Sequence, residues 1–306
     1  MAILVTGATG FLGSHLVKAL LEHNYSVIAL ARSTSSRHRL ASVVNHPRLT
    51  WSTCDEATLN QQFQQNPIQA IIHTATTYGR NKETPLSAIF ESNLHLPIRL
   101  CELAHSYGVG IFINTDSYFN KPLTTYSALA HYALSKKSLQ LWLNYYSQYF
   151  QVYNLVLEHL YGETDHPEKF IPSMLTALVT QPSPRLSLTL GEQQRDFIHV
   201  QDAVSAYVHI LKHALKTAEP QYQTLEVGTG ELCSIRTWVE TLHRASGSEC
   251  LLQFGVLPYR PDEIMMSVAD TTALNALGWK PTISYIKGIE RLITHARSSS
   301  CYTLQS

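Results

Sequence analysis

The chain has 306 residues, 23 basic against 23 acidic side chains, and 44% hydrophobic residues. That length buries a large core in one domain or two intimate ones. The balanced charge excludes the one-sign field needed to hold nucleic acid or an anionic membrane. Cys54, Cys101, Cys233, Cys250 and Cys301 are scattered and odd in number, with no CxxC spacing. That argues against a disulfide framework or a zinc site, so no metal is expected, and it favours a reducing, cytoplasmic setting. No run reaches the ~18 apolar residues of a membrane helix, and the opening apolar run is a short strand, not a signal peptide.

Strands alternate with helices from the start. AILVTG reads as a buried strand and FLGSHLVKALLEHN as the helix behind it, with Leu12, Leu16, Leu20 and Leu21 at helical spacing. YSVIALAR is the second strand, PRLTWSTC a weaker third, IQAIIHTAT the fourth, VGIFINTDS the fifth and QVYNLVLEHLYG the sixth. LSAIFESNLHLPIRLCELAHSYG and YALSKKSLQLWLNYYSQY are helical. Repeated βα units with near-continuous apolar strands predict an α/β fold of the Rossmann type, a doubly wound parallel sheet covered on both faces. After Gly162 the regularity breaks. Short strands (RLSLTL, QTLEVG) alternate with helices (VQDAVSAYVHILKHAL, SIRTWVETLHRA). The expected organisation is a nucleotide-binding domain over 1–162, with part of 185–215 contributing. An interleaved α/β substrate lobe covers mainly 163–296, and an irregular tail covers 297–306.

Three glycines, Gly7, Gly10 and Gly13, lie between the first strand and its helix in TGATGFLG. In a strand–turn–helix setting the first allows a tight turn, the second lets backbone approach a pyrophosphate, and the third packs helix on sheet. The helix N-terminus adds unpaired N–H groups and a positive dipole end. The second strand runs out into Arg32 and Ser33, with Arg37 and Arg39 close behind and no acidic residue for an adenosine ribose. A cation with hydroxyls suits a 2′-phosphate, so NADP is expected ahead of NAD; a solvated basic loop is the alternative.

Tyr132 and Lys136 stand four apart on a predicted helix and share a face. A nearby ammonium stabilises phenolate, so Lys136 is expected to lower the Tyr132 pKa toward a useful range. The fifth strand runs out into Thr115-Asp116-Ser117, and strand C-termini are where such sheets bind ligands.

These motifs resemble the extended short-chain dehydrogenase/reductases that act on nucleotide sugars, the NAD-dependent epimerase/dehydratase family. The resemblance covers about residues 2 to 290. It includes TGATGFLG, HTAT at His73–Thr76, Asn93, Thr115 with Tyr132 and Lys136, Tyr161-Gly162, RDFIHVQD, EVGTGE and LGWKP. It implies that Thr115, Tyr132 and Lys136 are catalytic. It also implies cofactor contacts from Gly7, Thr9, Gly10, Phe11, Leu12, Gly13, Arg32, Ser33, Thr74, Ala75 and Asn93, together with Tyr132 and Lys136. Substrate contacts would come from Tyr78, Ser117, His159, Arg195 and Arg260, the two arginines on the diphosphate. For Arg195 an ion pair with Asp196 or Asp202 is the alternative. Asp202 is expected to cap the helix that follows, and His159 is either a sugar-nucleotide contact or a satisfied buried histidine.

TTYGRNKETPLSAIFESNLHLPIRL, LEHLYGETDHPEKF, QQRDFIHVQD and QFGVLPYRPDEIMMSVAD further resemble the 4-ketoreductases that make CDP-paratose or CDP-abequose. That resemblance implies NADPH-dependent reduction of CDP-4-keto-3,6-dideoxyglucose for O-antigen and lipopolysaccharide synthesis. It is compatible with a homodimer. An epimerase with tightly held NAD is the rival on the same scaffold, and a non-catalytic nucleotide-binding sensor or scaffold the rival of another class. The Glu that follows Thr-Asp in the related 4,6-dehydratases is replaced here by Ser117, and the usual sixth-strand Arg is missing. Ser52 and Asp55 compete for the place beside the adenine.

Overall fold

The computed structural model describes residues 2–79, 83–121 and 129–303. The chain divides into two compact units. One comprises Met1–Leu157, Val204–Glu226 and Ala273–Trp279; the other comprises Glu158–Ala203, Val227–Thr272 and Lys280–Ser306. In chain order the elements begin β1 (Ala2–Thr6), α1 (Phe11–Glu22), β2 (Ser26–Leu30), β3 (Leu49–Ser52), α2 (Glu56–Gln65) and β4 (Ile68–His73). They continue with α3 (Leu86–Phe90), α4 (Leu96–Ser106), β5 (Ile111–Ser117), α5 (Ala130–Tyr146) and β6 (Gln151–Leu157). Then come β7 (His159–Tyr161), α6 (Phe170–Leu175), β8 (Arg185–Leu188), β9 (Gln194–Arg195), β10 (Phe197–His199) and α7 (Val200–Ala214). The last are β11 (Gln221–Val227), β12 (Cys233–Ser234), α8 (Ile235–Ser246), β13 (Leu251–Phe254), β14 (Met266–Ser267), α9 (Thr272–Ala276) and α10 (Tyr285–Thr303).

Seven strands form one sheet in the order β11-β6-β5-β4-β1-β2-β3. Every register from β3 across to β6 is parallel. This is the expected Rossmann-type α/β architecture. Strands buried on both faces must be apolar throughout, and β1 is buried at all five positions. Leu4, Ile28, Ile71, Phe112 and Val152 each come from a different strand and pack with Leu100, Leu139 and Leu143 of α4 and α5. The strand order reverses between β1 and β4, the place where such sheets open a crevice at their C-terminal edge.

The second unit has its own core around Tyr161, Phe197, Trp238, Leu242, Ile289 and Leu292. A Cβ on Gly288 would lie 1.9 Å from the Tyr161 hydroxyl, so α10 can approach β7 only through a glycine. The expected sixth strand is in fact two. At Glu158 the backbone N–H turns to Val227 O, and the next N–H, of His159, turns to Asp196 O, so β7 pairs with β10 rather than continuing along β5. Helix α10 continues to Thr303, into the stretch expected to be irregular; residues 304–306 lie outside the described residues. Among the described residues no helix is long and apolar enough to cross a membrane.

Candidate active site

The turn after β1 is built by glycines whose missing side chains are filled by backbone. Gly7 has φ +62°, and a Cβ there would sit 2.8 Å from Ala75 N and 2.9 Å from Thr74 Oγ1. A Cβ on Gly13 would sit 2.1 Å from Gly7 O, so the first turn of α1 packs directly on the carbonyl of the turn. Gly10 is the N-cap of α1, with extended backbone, no side-chain cap and no acidic residue in the first turn. A glycine N-cap and a first turn without a carboxylate keep the positive helix end available to an anion. Thr9 is half-buried in the turn, and Arg39 reaches its carbonyl at 3.4 Å. Arg32 and Ser33 are exposed just beyond β2, and Arg37 lies 4.1 Å over the Trp51 ring. The glycine cradle and the open helix end fit the pyrophosphate of a dinucleotide.

A row of polar side chains crosses the sheet at one register. Thr6 pairs with His73, His73 with Asn114, and Asn114 with Asn154, and all four are fully buried. Thr6 Oγ1 accepts from Thr74 N and Ala75 N at 3.0 and 3.1 Å and lies 2.9 Å from His73 Nδ1. With two donors already on the hydroxyl oxygen, its own proton goes to Nδ1, which assigns the His73 proton to Nε2. Burial, and the nearby Lys136 charge, hold His73 well below its ordinary pKa, so it is neutral. Thr74 Oγ1 donates to Thr6 O at 2.7 Å, so Thr74 and Ala75 are tied to the end of β1. Further along the row, Asn114 donates to Asn154 Oδ1 at 2.7 Å, and Asn154 donates to Asp116 Oδ2 at 2.9 Å. His73 Nε2 and Asn114 Oδ1, on neighbouring strands, have no partner among the described residues.

Asp116 is buried and fully engaged. Its Oδ1 accepts from Ser117 N and Asn120 Nδ2, both at 2.8 Å, and its Oδ2 accepts from Asn154 and from Gln140 on α5. Asn93 lies in a π-helical turn, Glu91–His95, between α3 and α4. Its Oδ1 accepts from Thr77 N and Thr76 Oγ1, and its Nδ2 donates to Thr77 O and Ser135 Oγ. That exhausts an amide's capacity. Asn93, expected at the cofactor, braces the loop after β4 against α5 in this structure.

Tyr132 and Lys136 share the inner face of α5 and are 3% and 2% exposed. Tyr78 stacks on the Tyr132 ring at 4.8 Å between centroids, and Phe119 meets it edge-on at 6.2 Å. The lowered Tyr132 pKa expected from Lys136 is not what this environment produces. Burial, reinforced by Tyr78, pushes the phenol well above its ordinary value, and only a hydrogen bond with Ser117 pulls it down. The Lys136 ammonium lies 6.0 Å from the Tyr132 ring centroid and donates instead to Thr115 O at 2.7 Å. Burial lowers Lys136 to about 8, with the Asp116 carboxylate acting the other way. The Thr115 hydroxyl, half-buried at the end of β5, accepts from Tyr207 Oη of α7 at 2.8 Å.

In the second unit Arg195 is 5% exposed. It pairs with neither Asp196 nor Asp202: Nη2 meets Glu263 Oε1 at 2.8 Å, and Nη1 donates to Gln194 O. Asp196 instead accepts from Thr229, Gly230 and Ala269. Asp202 does not cap α7; it lies inside the helix and accepts from Thr282 and Ile283. Arg260 is exposed, and its carbonyl accepts from Glu263 N at 3.2 Å. His159 is half-buried with its ring edge-on to Phe197 at 5.1 Å.

Sequence reasoning named His73 only within the HTAT segment and gave it no role, and it missed Asn114, Asn154, Gln140, Tyr207 and Glu263. The first three carried a visible signal, a polar residue inside or at the end of an apolar strand; the rest are brought in by folding. His209 and His213 stand at HxxxH spacing on α7, and His209 Nε2 bonds Leu277 O at 2.7 Å. Among the described residues no group of three or more His, Cys, Asp or Glu could hold a metal ion.

Comparison with known proteins agrees with this geometry. The model of the "NAD dependent epimerase/dehydratase family" matches residues 3–228. CDP-abequose synthase of Salmonella typhimurium is 36% identical over 299 residues, covering 95% of this chain and 97% of that protein. CDP-abequose synthase of Salmonella muenchen is 35% identical over 295 residues, with the same coverage of 95% and 97%. Among solved structures, UDP-glucose 4-epimerase of Thermotoga maritima with UDP-glucose superposes with a TM-score of 0.82 at 22% identity, over 98% of this chain and 99% of that one. dTDP-glucose 4,6-dehydratase of Streptomyces venezuelae with NAD gives 0.80 at 23% identity, over 99% and 98%. A glycine turn closed by backbone, Thr115 on β5 with Tyr132 and Lys136 on α5, and the family match over most of the chain lead to one assignment: the chain belongs to the NAD dependent epimerase/dehydratase family.

Proposed function

We propose that this enzyme uses NADPH to reduce the C4 ketone of a nucleotide-linked 4-keto-6-deoxy sugar. The substrate is CDP-4-keto-3,6-dideoxyglucose, and the product is CDP-paratose or CDP-abequose for O-antigen and lipopolysaccharide synthesis in the cytoplasm. The observation that carries this reading is the filled Asp116. Elimination of water needs an acid–base pair beside the sugar. Here both carboxylate oxygens accept from amide groups and the next residue is Ser117, while Thr115, Tyr132 and Lys136 remain. The identity with CDP-abequose synthases supports the sugar and its nucleotide. The exposed Arg32 and Ser33, with no acidic neighbour at the end of β2, support NADPH over NADH.

Gly7, Gly10 and Gly13 would hold the cofactor, which when bound would supply the hydride. Tyr132 gives its Oη proton to the C4 oxygen; its raised pKa keeps that proton in place at neutral pH until the oxygen becomes basic. The Thr115 hydroxyl donates to the same oxygen. Lys136, charged below about pH 8, holds Thr115 by its carbonyl and biases the site against a second cation. Arg195 and Arg260 bind the diphosphate, Arg195 after release from Glu263. Tyr78, Ser117 and His159 contact the sugar nucleotide. The exposed Leu134, Leu141, Trp142 and Tyr145 of α5 support a homodimer formed by that helix face.

The test is isotopic. Protein incubated with C4-deuterated NADPH and the 4-keto sugar nucleotide should consume one NADPH per ketone and leave deuterium at C4 of the product, read by NMR. Tightly retained NAD, turnover without added NADPH and an unlabelled product would replace this reading with an epimerase.

A further inference from the structure

We infer that Tyr207 is a positioning residue that aims the Thr115 hydroxyl, so that the catalytic set extends to a tyrosine on α7. The inference rests on the reductase reading above. Tyr207 is fully buried, and its Oη donates to Thr115 Oγ1 at 2.8 Å. The direction follows from chemistry. A phenol is a far stronger acid than an aliphatic alcohol, so between the two the phenol donates and the alkoxy oxygen accepts.

A threonine hydroxyl otherwise turns about its Cβ–Oγ bond to whichever acceptor is nearest. Once one lone pair of Oγ1 receives the Tyr207 proton, the Thr115 proton must point away from Tyr207. No acceptor takes it among the described residues, and Thr115 is half-buried at the C-terminal end of β5. The other oxygen of the residue is fixed as well, because Lys136 Nζ donates to Thr115 O at 2.7 Å. Thr115 is therefore held at both oxygens, from α7 and from α5, and its one proton is confined to the two staggered directions that lead away from Tyr207. A hydroxyl that accepts a hydrogen bond also becomes a better donor through polarisation. Both effects act on the ketone oxygen that Thr115 is proposed to hold.

The rival explanation is packing: a buried tyrosine needs some partner for its hydroxyl. A double-mutant cycle separates the two. With NADPH and the 4-keto sugar nucleotide, Tyr207→Phe should lower kcat about three- to tenfold, the worth of one neutral hydrogen bond. Its NADPH dissociation constant should stay at the wild-type value. In a Thr115→Val background the same substitution should change nothing further, whereas in Thr115→Ser it should still cost the same factor. Incorporation of 3-fluorotyrosine at 207, a stronger donor of nearly the same shape, should leave kcat at or above wild type; this variant keeps the buried hydroxyl and guards against a Phe variant that folds poorly. Wild-type kcat in Tyr207→Phe, an undiminished loss in the Thr115→Val background, or a Phe-like loss with fluorotyrosine would each overturn the assignment while leaving the reductase reading intact. A wild-type protein that reduces no ketone would remove that reading, and this assignment with it.

Discussion

The two units prepare for ligand in different ways. In the first, polar groups are placed by sheet register: Thr6, His73, Asn114 and Asn154 lie in one row, and Thr115, Asp116 and Ser117 follow on β5. Most are hydrogen-bonded to one another before any ligand arrives, so little reorganisation is needed at the chemical step. In the second, the candidate ligand-binding groups sit on two- and three-residue strands and a loop, and the most buried of them, Arg195, is held by Glu263. A guanidinium kept by a carboxylate is charged, oriented and exchangeable for a diphosphate. On the function proposed above, chemistry belongs to the rigid register and recognition to the exchangeable pair.

Four experiments can break or sharpen that contrast. The largest effect is expected from Tyr132→Phe, which should bind NADPH normally and lose ketone reduction by about two to four orders of magnitude, as loss of a general acid does. Near-wild-type turnover in single-turnover assays would move the proton donor elsewhere. Arg32→Ala should weaken NADPH about ten- to a hundredfold and NADH hardly at all, since a charge-assisted contact is worth about 1.5–3 kcal/mol. Equal losses in fluorescence titrations with the two cofactors would show that Arg32 does not read the 2′-phosphate.

Arg195→Gln should raise KM for the sugar nucleotide about tenfold with the NADPH dissociation constant unchanged, the cost of about one charge-assisted hydrogen bond. If Arg195→Gln and Glu263→Gln instead lower Tm alike and leave KM alone, the pair is structural and the contrast fails on its second side. The smallest effect is in pH. Lys136 sits at about 8 in the folded protein against 10.5 for an ordinary lysine. Its charge is present below about pH 8, so kcat/KM should fall roughly twofold at that pH and further above it; a limb that survives Lys136→Met belongs to another group. Stability should move the opposite way. Between about pH 8 and 10.5 the unfolded chain holds this proton more tightly than the folded one, so unfolding free energy rises with pH across that window as the buried charge is discharged.

Much of the first unit was legible because local patterns decide it. Apolar runs named the strands, the Gly7/Gly10/Gly13 spacing named the turn, and the four-residue step put Tyr132 and Lys136 on one helix face. What pattern could not supply were partners. Thr115 meets Tyr207 across 92 residues, and Arg195 meets Glu263 across 68. The expected link from Lys136 to Tyr132 failed for the same reason: helical spacing brings the side chains near, but the carbonyl that captures the ammonium belongs to β5. The break at Glu158 was hidden too, since an apolar run continues through it and only pairing with β10 ends the strand.

The buried row from Thr6 to Asn154 has a consequence for folding. Parallel strands made of near-uniform aliphatic runs can slide by two residues and still bury similar surface, so hydrophobicity alone distinguishes such states poorly. A slide of β5 or β6 would separate Asn114 from Asn154, and a slide of β1 or β4 would separate Thr6 from His73. Each buried group stranded in this way costs about 1–3 kcal/mol. Mispaired sheets are thus penalised strand by strand, and the side chains that tie β1, β4, β5 and β6 together at one register also select the one alignment in which Thr115, Asp116 and Ser117 fall where they do.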